Sequence, residues 1–270
     1  MIQDKFSIIY EDGPIGRAYL YYFKLKKYFP KKIYYLYKKI NFLPEKLNLK
    51  ISFHNKNYYP LKFIKEQNII NFCIQIEDFF KFKNNFIKEM YETDLLDFFK
   101  DRIIYIPDAD INSKILFNQI SGSSDNYFIN TSKQIYKDIL NTNKNFYHIH
   151  PGYLPLVRGA DGTLNSLLNY NCFGASFYKM TSKIDDGDIY IRKIFNFKKF
   201  NLANFDKYKI KDIYRIWFSF FDPILRCKLI QDIIDPSFHF KKIDTLSEKS
   251  NYYSFLKKDS LKNIFDKIFL

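Results

Sequence analysis

His148 and His150 are two of only four histidines in this 270-residue chain. They stand in the run His148-Ile149-His150-Pro151-Gly152, followed by Arg158-Gly159 and then by Asp185-Asp186-Gly187-Asp188. An imidazole titrates near neutral pH and can donate, accept or shuttle a proton, while a nearby carboxylate can orient the ring or take a proton itself. On an extended strand, residues two apart project from one face, so His148 and His150 can share one cleft. An imidazolium at His148 would then depress the pKa of His150 by repulsion. Arg158 can bind a phosphate or carboxylate, or pair with a surface acid. Asp161, Asp186 and Asp188 fall in turn-like segments, where acidic residues commonly cap. The same residues permit a second chemistry, because His-x-His with carboxylates nearby is a ligand set for zinc, iron or manganese. That set lacks a third imidazole or a thiolate, since His54 and His239 lie in ordinary segments, and no metal is assigned.

The two blocks resemble those of the folate-dependent formyltransferases, whose pattern runs Asn-x-His-Pro, a Leu-Pro, Arg-Gly, and later a hydrophobic-Asp-x-Gly turn. Here the matching residues are His148 to Pro155, Arg158-Gly159, and Ile184-Asp185-Asp186-Gly187-Asp188-Ile189. Position by position, His150 matches the family histidine and Asp185 the family aspartate. The family asparagine position holds His148, whose neutral N–H is the same kind of donor as an amide. The resemblance implies an α/β fold with a Rossmann-like, mostly parallel sheet of the formyltransferase type, and the pattern after residue 200 adds a helical C-terminal extension to that expectation. It also implies 10-formyltetrahydrofolate as co-substrate and a primary amine on a small molecule as acceptor, with a nucleotide-linked amino sugar the first choice. On this reading His148, His150 and Asp185 are catalytic, and Arg158 with Gly159 binds substrate. Hydrolysis of formyltetrahydrofolate, or a metal-dependent hydrolase built on the histidine pair, are the alternatives. No tRNA-binding domain like that of the methionyl-tRNA relative is expected after the catalytic domain, so nucleic acid is not the expected partner.

Composition narrows the field without choosing within it. The net charge of +14 would suit a polyanion, but the lysines are dispersed among apolar residues, as on solvated helix faces. The same charge suits a phosphate-bearing substrate or a polyglutamylated folate. Aromatic residues make up 20% of the chain, with 30 Phe and 23 Tyr, alongside frequent Lys, Asn and Ile throughout, a coding bias rather than a local design. Cys73, Cys172 and Cys227 are far apart and odd in number, which argues against a disulfide framework or thiolate metal site and for a reducing, cytoplasmic setting. The apolar run near the start is too short for a signal peptide, and no stretch has the length to span a bilayer.

Proline at 151 removes a ladder donor and restricts the residue before it, so residues 146–149 read as a strand that ends at His150. Ligand clefts in open α/β sheets lie outside such strand ends. Residues 6–10 and 15–28 read as strand, loop and helix, with Gly13 and Gly16 making the turn and Pro14 at the helix start. Further apolar runs at 32–37, 49–53, 69–76, 102–106 and 126–129 read as strands, and 77–100 as one or two amphipathic helices. Thr131 or Ser132 is a candidate cap for a helix running to Leu140. A helix at 160–170, strands at 174–180 and 189–197 and a hairpin-like turn at 182–188 follow, then helices at 208–220, 223–234 and from Asp259 or Ser260 onward. The expected division is a catalytic domain over 1–200, with an insertion near 53–100, and a helical extension over 201–270 packed on it.

Overall fold

The computed structural model describes residues 5–270. Its strands are β1 (Ser7–Tyr10), β2 (Ile33–Leu36), β3 (Ile103–Ile106), β4 (Tyr127–Asn130), β5 (Asn145–His150), β6 (Arg158–Gly159), β7 (Cys172–Lys179), β8 (Ile189–Asn196) and β9 (Tyr252–Tyr253). Seven of them form one sheet in the order β3-β2-β1-β4-β5-β7-β8, and β6 pairs with β9 separately. The first five in that order run parallel, whereas β7 is antiparallel to β5 and β8 to β7. Every residue of β1 and β2 is buried, as expected of strands covered on both faces. The α/β, mostly parallel sheet read from the sequence is therefore present. Its order reverses at β1, which has β2 on one side and β4 on the other, so the loops after β1 and β4 part to leave a crevice at the strand ends.

The helices are α1 (Pro14–Lys26), α2 (Glu45–Phe63), α3 (Gln67–Phe80), α4 (Phe86–Glu92), α5 (Leu95–Phe98), α6 (Lys114–Ser121), α7 (Gly162–Tyr170), α8 (Ile210–Ile216), α9 (Asp222–Ile233) and α10 (Lys258–Phe269). One core unites α1, α3, α9 and α10 with the sheet, while Leu116 and Ile120 of α6 pack with Ile9, Tyr34 and Phe128 in a second cluster. Helix α9 packs along α1, and a π-helical turn over Trp217–Phe221 joins it to α8. Among the described residues no helix is long and apolar enough to cross a membrane.

Three segments differ from the sequence reading. Residues 69–76 are not a strand but part of α3, where Ile69, Phe72, Cys73, Ile76 and Phe80 are buried at the 3.6-residue period. A dense run of β-branched and aromatic residues had masked that period. Residues 49–53 alternate apolar and polar but lie in α2, which is held by polar anchors rather than by an apolar stripe. Its buried Asn48 donates to the carbonyls of Ile40 and Leu43 and accepts from the Ile40 N–H, and Asn57 donates to the Asp12 carbonyl. Finally, no α-helix runs from Thr131 or Ser132 to Leu140, and only a 3-10 turn forms at Asp138–Thr142. The polar groups that could have capped a helix are spent on β1's loop instead. Ser132 Oγ and Gln134 Nε2 donate to Glu11 Oε1 at 2.6 and 2.7 Å, and the Glu11 N–H donates to Thr131 Oγ1.

Candidate active site

The strand-end crevice opens into a cleft of about 710 Å³. Its walls come from the β1 loop (Glu11, Gly13), the β4 loop (residues 130–136), the end of β5 (His148, His150), the turn between β7 and β8, and the α8–α9 junction. That volume is in the range of small-molecule sites.

His150 closes β5 and is 3% exposed. Its Nε2 lies 2.9 Å from the Val157 carbonyl, which can only accept, so Nε2 carries the ring proton. Nδ1 then presents its lone pair to Asp185 Oδ2, 3.3 Å away. Gly152 makes this ring position available, since a Cβ there would stand 2.5 Å from His150 Nε2 and 2.8 Å from the Val157 carbonyl oxygen. Asp185 reaches the histidine from the β7–β8 turn with φ of +52°, in the left-handed region that Asp tolerates better than most residues. Its carboxylate accepts from the Gly159 N–H and from the Tyr178 hydroxyl, both at 2.8 Å. Burial opposes the charge on Asp185, but His150, the Gly159 N–H, His148 and the Tyr178 hydroxyl together hold its pKa below the ordinary value. Burial lowers the pKa of His150 against the pull of Asp185, with Arg226 adding to the lowering. Both members of the pair are thus biased toward their deprotonated forms.

His148 points to the same cleft. Burial first, and then the Arg226 guanidinium, lower its pKa to about 3, so the ring is neutral across the physiological range. Arg226 Nη1 lies 3.0 Å from His148 Nε2 and also donates to the Ile149 carbonyl, while its Nε donates to Asp222 Oδ2 at 2.7 Å. The π turn before α9 and the i,i+4 spacing of Asp222 and Arg226 direct this pair toward the end of β5. On the other side of the ring stands Asn130, the last residue of β4, which the parallel register brings beside His148.

Arg158 and Gly159 part company. Gly159 lines the cleft and orients Asp185 through its N–H. Arg158 does not line the cleft; it donates to the Ile184 carbonyl and pairs with Asp186 at 3.3 Å, so it clamps the turn that carries Asp185. The sequence reading did not include Asn130, Lys133, Tyr178 or Arg226. Lys133 leaves the β4 loop and carries its ammonium 5.0 Å over the Phe218 ring at the cleft, where desolvation lowers its pKa against the attraction of Asp222. No group of three His, Cys, Asp or Glu side chains able to hold a metal occurs among the described residues. The His148 lone pair that a metal would need already accepts from a guanidinium.

Comparison of the sequence with protein-family models and with curated proteins gave no match. Among solved structures the chain is similar to a 4-N formyltransferase from Francisella tularensis, at 20% identity over 94% of this chain and 76% of that one, with a TM-score of 0.47. It is also similar to WlaRD, a sugar 3N-formyl transferase crystallised in the presence of dTDP and 5-N-formyl-THF, at 19% identity over 93% and 69%, with a TM-score of 0.47. A third is the formyltransferase PseJ from Anoxybacillus kamchatkensis, crystallised with a UDP-linked formamido sugar and tetrahydrofolate, at 19% identity over 63% and 84%, with a TM-score of 0.38. Likeness at this level does not carry a reaction from one chain to another.

Proposed function

We propose that the protein transfers a formyl group from 10-formyltetrahydrofolate to the primary amine of a small acceptor, and that the acceptor is a nucleotide-linked amino sugar. The observation that carries this reading is the His150–Asp185 pair. The two residues lie in separate blocks of the motif stretch, yet they meet at 3.3 Å on the wall of a cleft at the sheet's switch point.

The pair has the proton inventory that the reaction needs. With Nε2 committed to Val157, the Nδ1 lone pair of His150 faces the ionised Asp185 carboxylate with no proton between them. When the amine nitrogen attacks the formyl carbon, the C=O becomes an oxyanion and the nitrogen must lose a proton. The proton passes through the Asp185 carboxylate, which lines the cleft, to His150 Nδ1 3.3 Å behind it, and the carboxylate stabilises the imidazolium that forms. As the adduct collapses, the bond from the formyl carbon to N10 breaks and the same proton passes to N10. The products are the formamide and tetrahydrofolate. Gly159 and Tyr178 keep the carboxylate aimed at the ring throughout.

The charge of the cleft supports an anionic acceptor. Lys56, Lys133, Lys183, Arg215 and Arg226 line it against Glu11, Asp161 and Asp185, and Lys133 has no ion-pair partner among the described residues. The cysteines are all unpaired, which suits a cytoplasmic enzyme. A thermal-shift screen with folates tests the co-substrate. A folate at 100 times its Kd should stabilise the fold by about 2.7 kcal/mol, with or without chelator. No shift with any folate, or a shift that vanishes with chelator, would contradict the reading.

A further inference from the structure

Between the end of α9 at Ile233 and the start of α10 at Lys258, the two residues of β9 are the only regular structure. No residue from 244 to 256 is buried, so this segment is not held in place by an apolar core. Polar ties hold it, and they converge on the motif stretch. Glu248 accepts two hydrogen bonds of 2.6 Å from Arg192 of β8, whose guanidinium also donates to the Leu154 carbonyl and lies over the Tyr153 ring. Ser250 Oγ accepts from Arg158 Nη1 at 3.3 Å. The carbonyls of Asn251 and Tyr253 accept from the Arg158 and Ala160 N–H groups at 3.0 and 2.9 Å, and the Leu256 N–H donates to Asp161 Oδ2 at 2.9 Å.

A parallel partner strand takes the N–H groups of alternate residues. With those of 158 and 160 given to β9, the Gly159 N–H points the opposite way and donates to Asp185 Oδ2 at 2.8 Å. The approach of the tail is close enough to require glycine here. Gly159 has φ of +92°, and a Cβ on it would stand 2.2 Å from the Tyr253 carbonyl oxygen. Arg158 meanwhile grips the Ile184 carbonyl and Asp186, so β6 is fixed between the tail and the turn that carries Asp185. We propose that residues 248–256 form a brace that positions the Asp185 carboxylate through Arg158 and Gly159, with the Glu248–Arg192 pair as its latch. Glu248, Ser250, Asn251 and Tyr253 do not line the cleft, so they act as positioning residues and not as contacts to a ligand. Resting on the formyl-transfer reading, the brace serves the proton path, because a displaced carboxylate loses its line to His150 Nδ1, 3.3 Å away.

The Glu248→Ala/Ser250→Ala variant cuts both side-chain ties and changes nothing that lines the cleft. Neither side chain is buried, so the variant should fold. It should lower kcat by roughly 10–10²-fold with KM for both substrates little changed, since misplacing a catalytic group by about 1 Å has an effect of that order. In an Asp185→Asn background the same two substitutions should cause no further loss, because no carboxylate remains to be aimed. A kcat within about threefold of wild type, a loss confined to KM, or the same fold-loss in both backgrounds would overturn the proposal. A second measurement needs no turnover. Arg158-Gly159 is the only Arg-Gly pair in the sequence, so labelling arginine carbonyls and glycine nitrogens selects the Gly159 amide in an NMR spectrum. Its proton should move upfield in Glu248→Ala/Ser250→Ala, in the direction it moves in Asp185→Asn, as the charge-assisted hydrogen bond lengthens. An unchanged Gly159 signal would show that the carboxylate is held without the brace. An enzyme that turned over no formylfolate would refute the formyl-transfer reading, while the Gly159 signal would still decide the brace.

Discussion

Replacing Asp185 by Asn removes one charge and almost no volume, so it isolates what the carboxylate does. The amide can keep both present contacts. Its oxygen can accept from the Gly159 N–H, and its NH2 can face the Tyr178 hydroxyl, which can turn to accept. What is lost is the anion 3.3 Å from His150 Nδ1. At that separation and an effective dielectric of 20, the attraction between the carboxylate and an imidazolium is about 5 kcal/mol, equivalent to between three and four decades in rate. Positioned acid–base groups are worth about 10²–10⁴-fold in general, and the two figures overlap. Asp185→Asn should therefore lower kcat by roughly 10²–10⁴-fold. Thermal unfolding should change little, by about 1–2 kcal/mol for the weakened hydrogen bonds. Stopped-flow detection of tetrahydrofolate release under single-turnover conditions measures the step directly. A variant that folds normally and turns over within a few-fold of wild type would show that His150 does not need Asp185, and the proton path given above would be wrong.

His148→Asn should keep kcat within about tenfold of wild type, because the amide oxygen can accept from Arg226 and its NH2 can still donate, whereas His148→Ala should lose roughly 10²–10³-fold; equal losses in steady-state assays would contradict a donor role. The folded-state pKa of His148 is lowered to about 3 from 6.5, so below pH 6.5 the unfolded chain takes the proton first. Its contribution to stability is complete above pH 6.5 and is lost as pH falls toward about 3, and melting curves across that window should be flatter for His148→Asn than for wild type. Arg226→Met leaves Asp222 fully buried and unpaired, and should cost about 3–5 kcal/mol in urea unfolding, with Asp222→Asn on the same background recovering part of it.

Which parts were legible in the sequence follows from the range of the interactions involved. Pro151 ends β5 by a local rule, so His150 could be placed at a strand end without any tertiary knowledge. Asp185 and Gly187 announced a turn in the same local way. Arg226 gave no such signal, because its contact with His148 spans 78 residues and depends on a π turn that no simple period reveals. Asn130 became visible only through the parallel register of β4 and β5. Arg158 stood beside a motif glycine, but its clamp on the 184–186 turn is a tertiary fact. In residues 69–76, β-branched residues outweighed a helical period in the reading, and packing against the core reversed that order. In residues 131–137, side chains with strong capping tendency were claimed by Glu11 instead.

The most direct test of the central claim is mass spectrometry of the acceptor. The wild-type protein would be incubated with 10-formyltetrahydrofolate and a panel of nucleotide-linked amino sugars, with and without chelator. One acceptor should gain the mass of a single formyl group on its amine, with tetrahydrofolate released in equal amount and no effect of the chelator. Release of formate with every amine left unmodified, or turnover only when divalent metal is supplied, would contradict it.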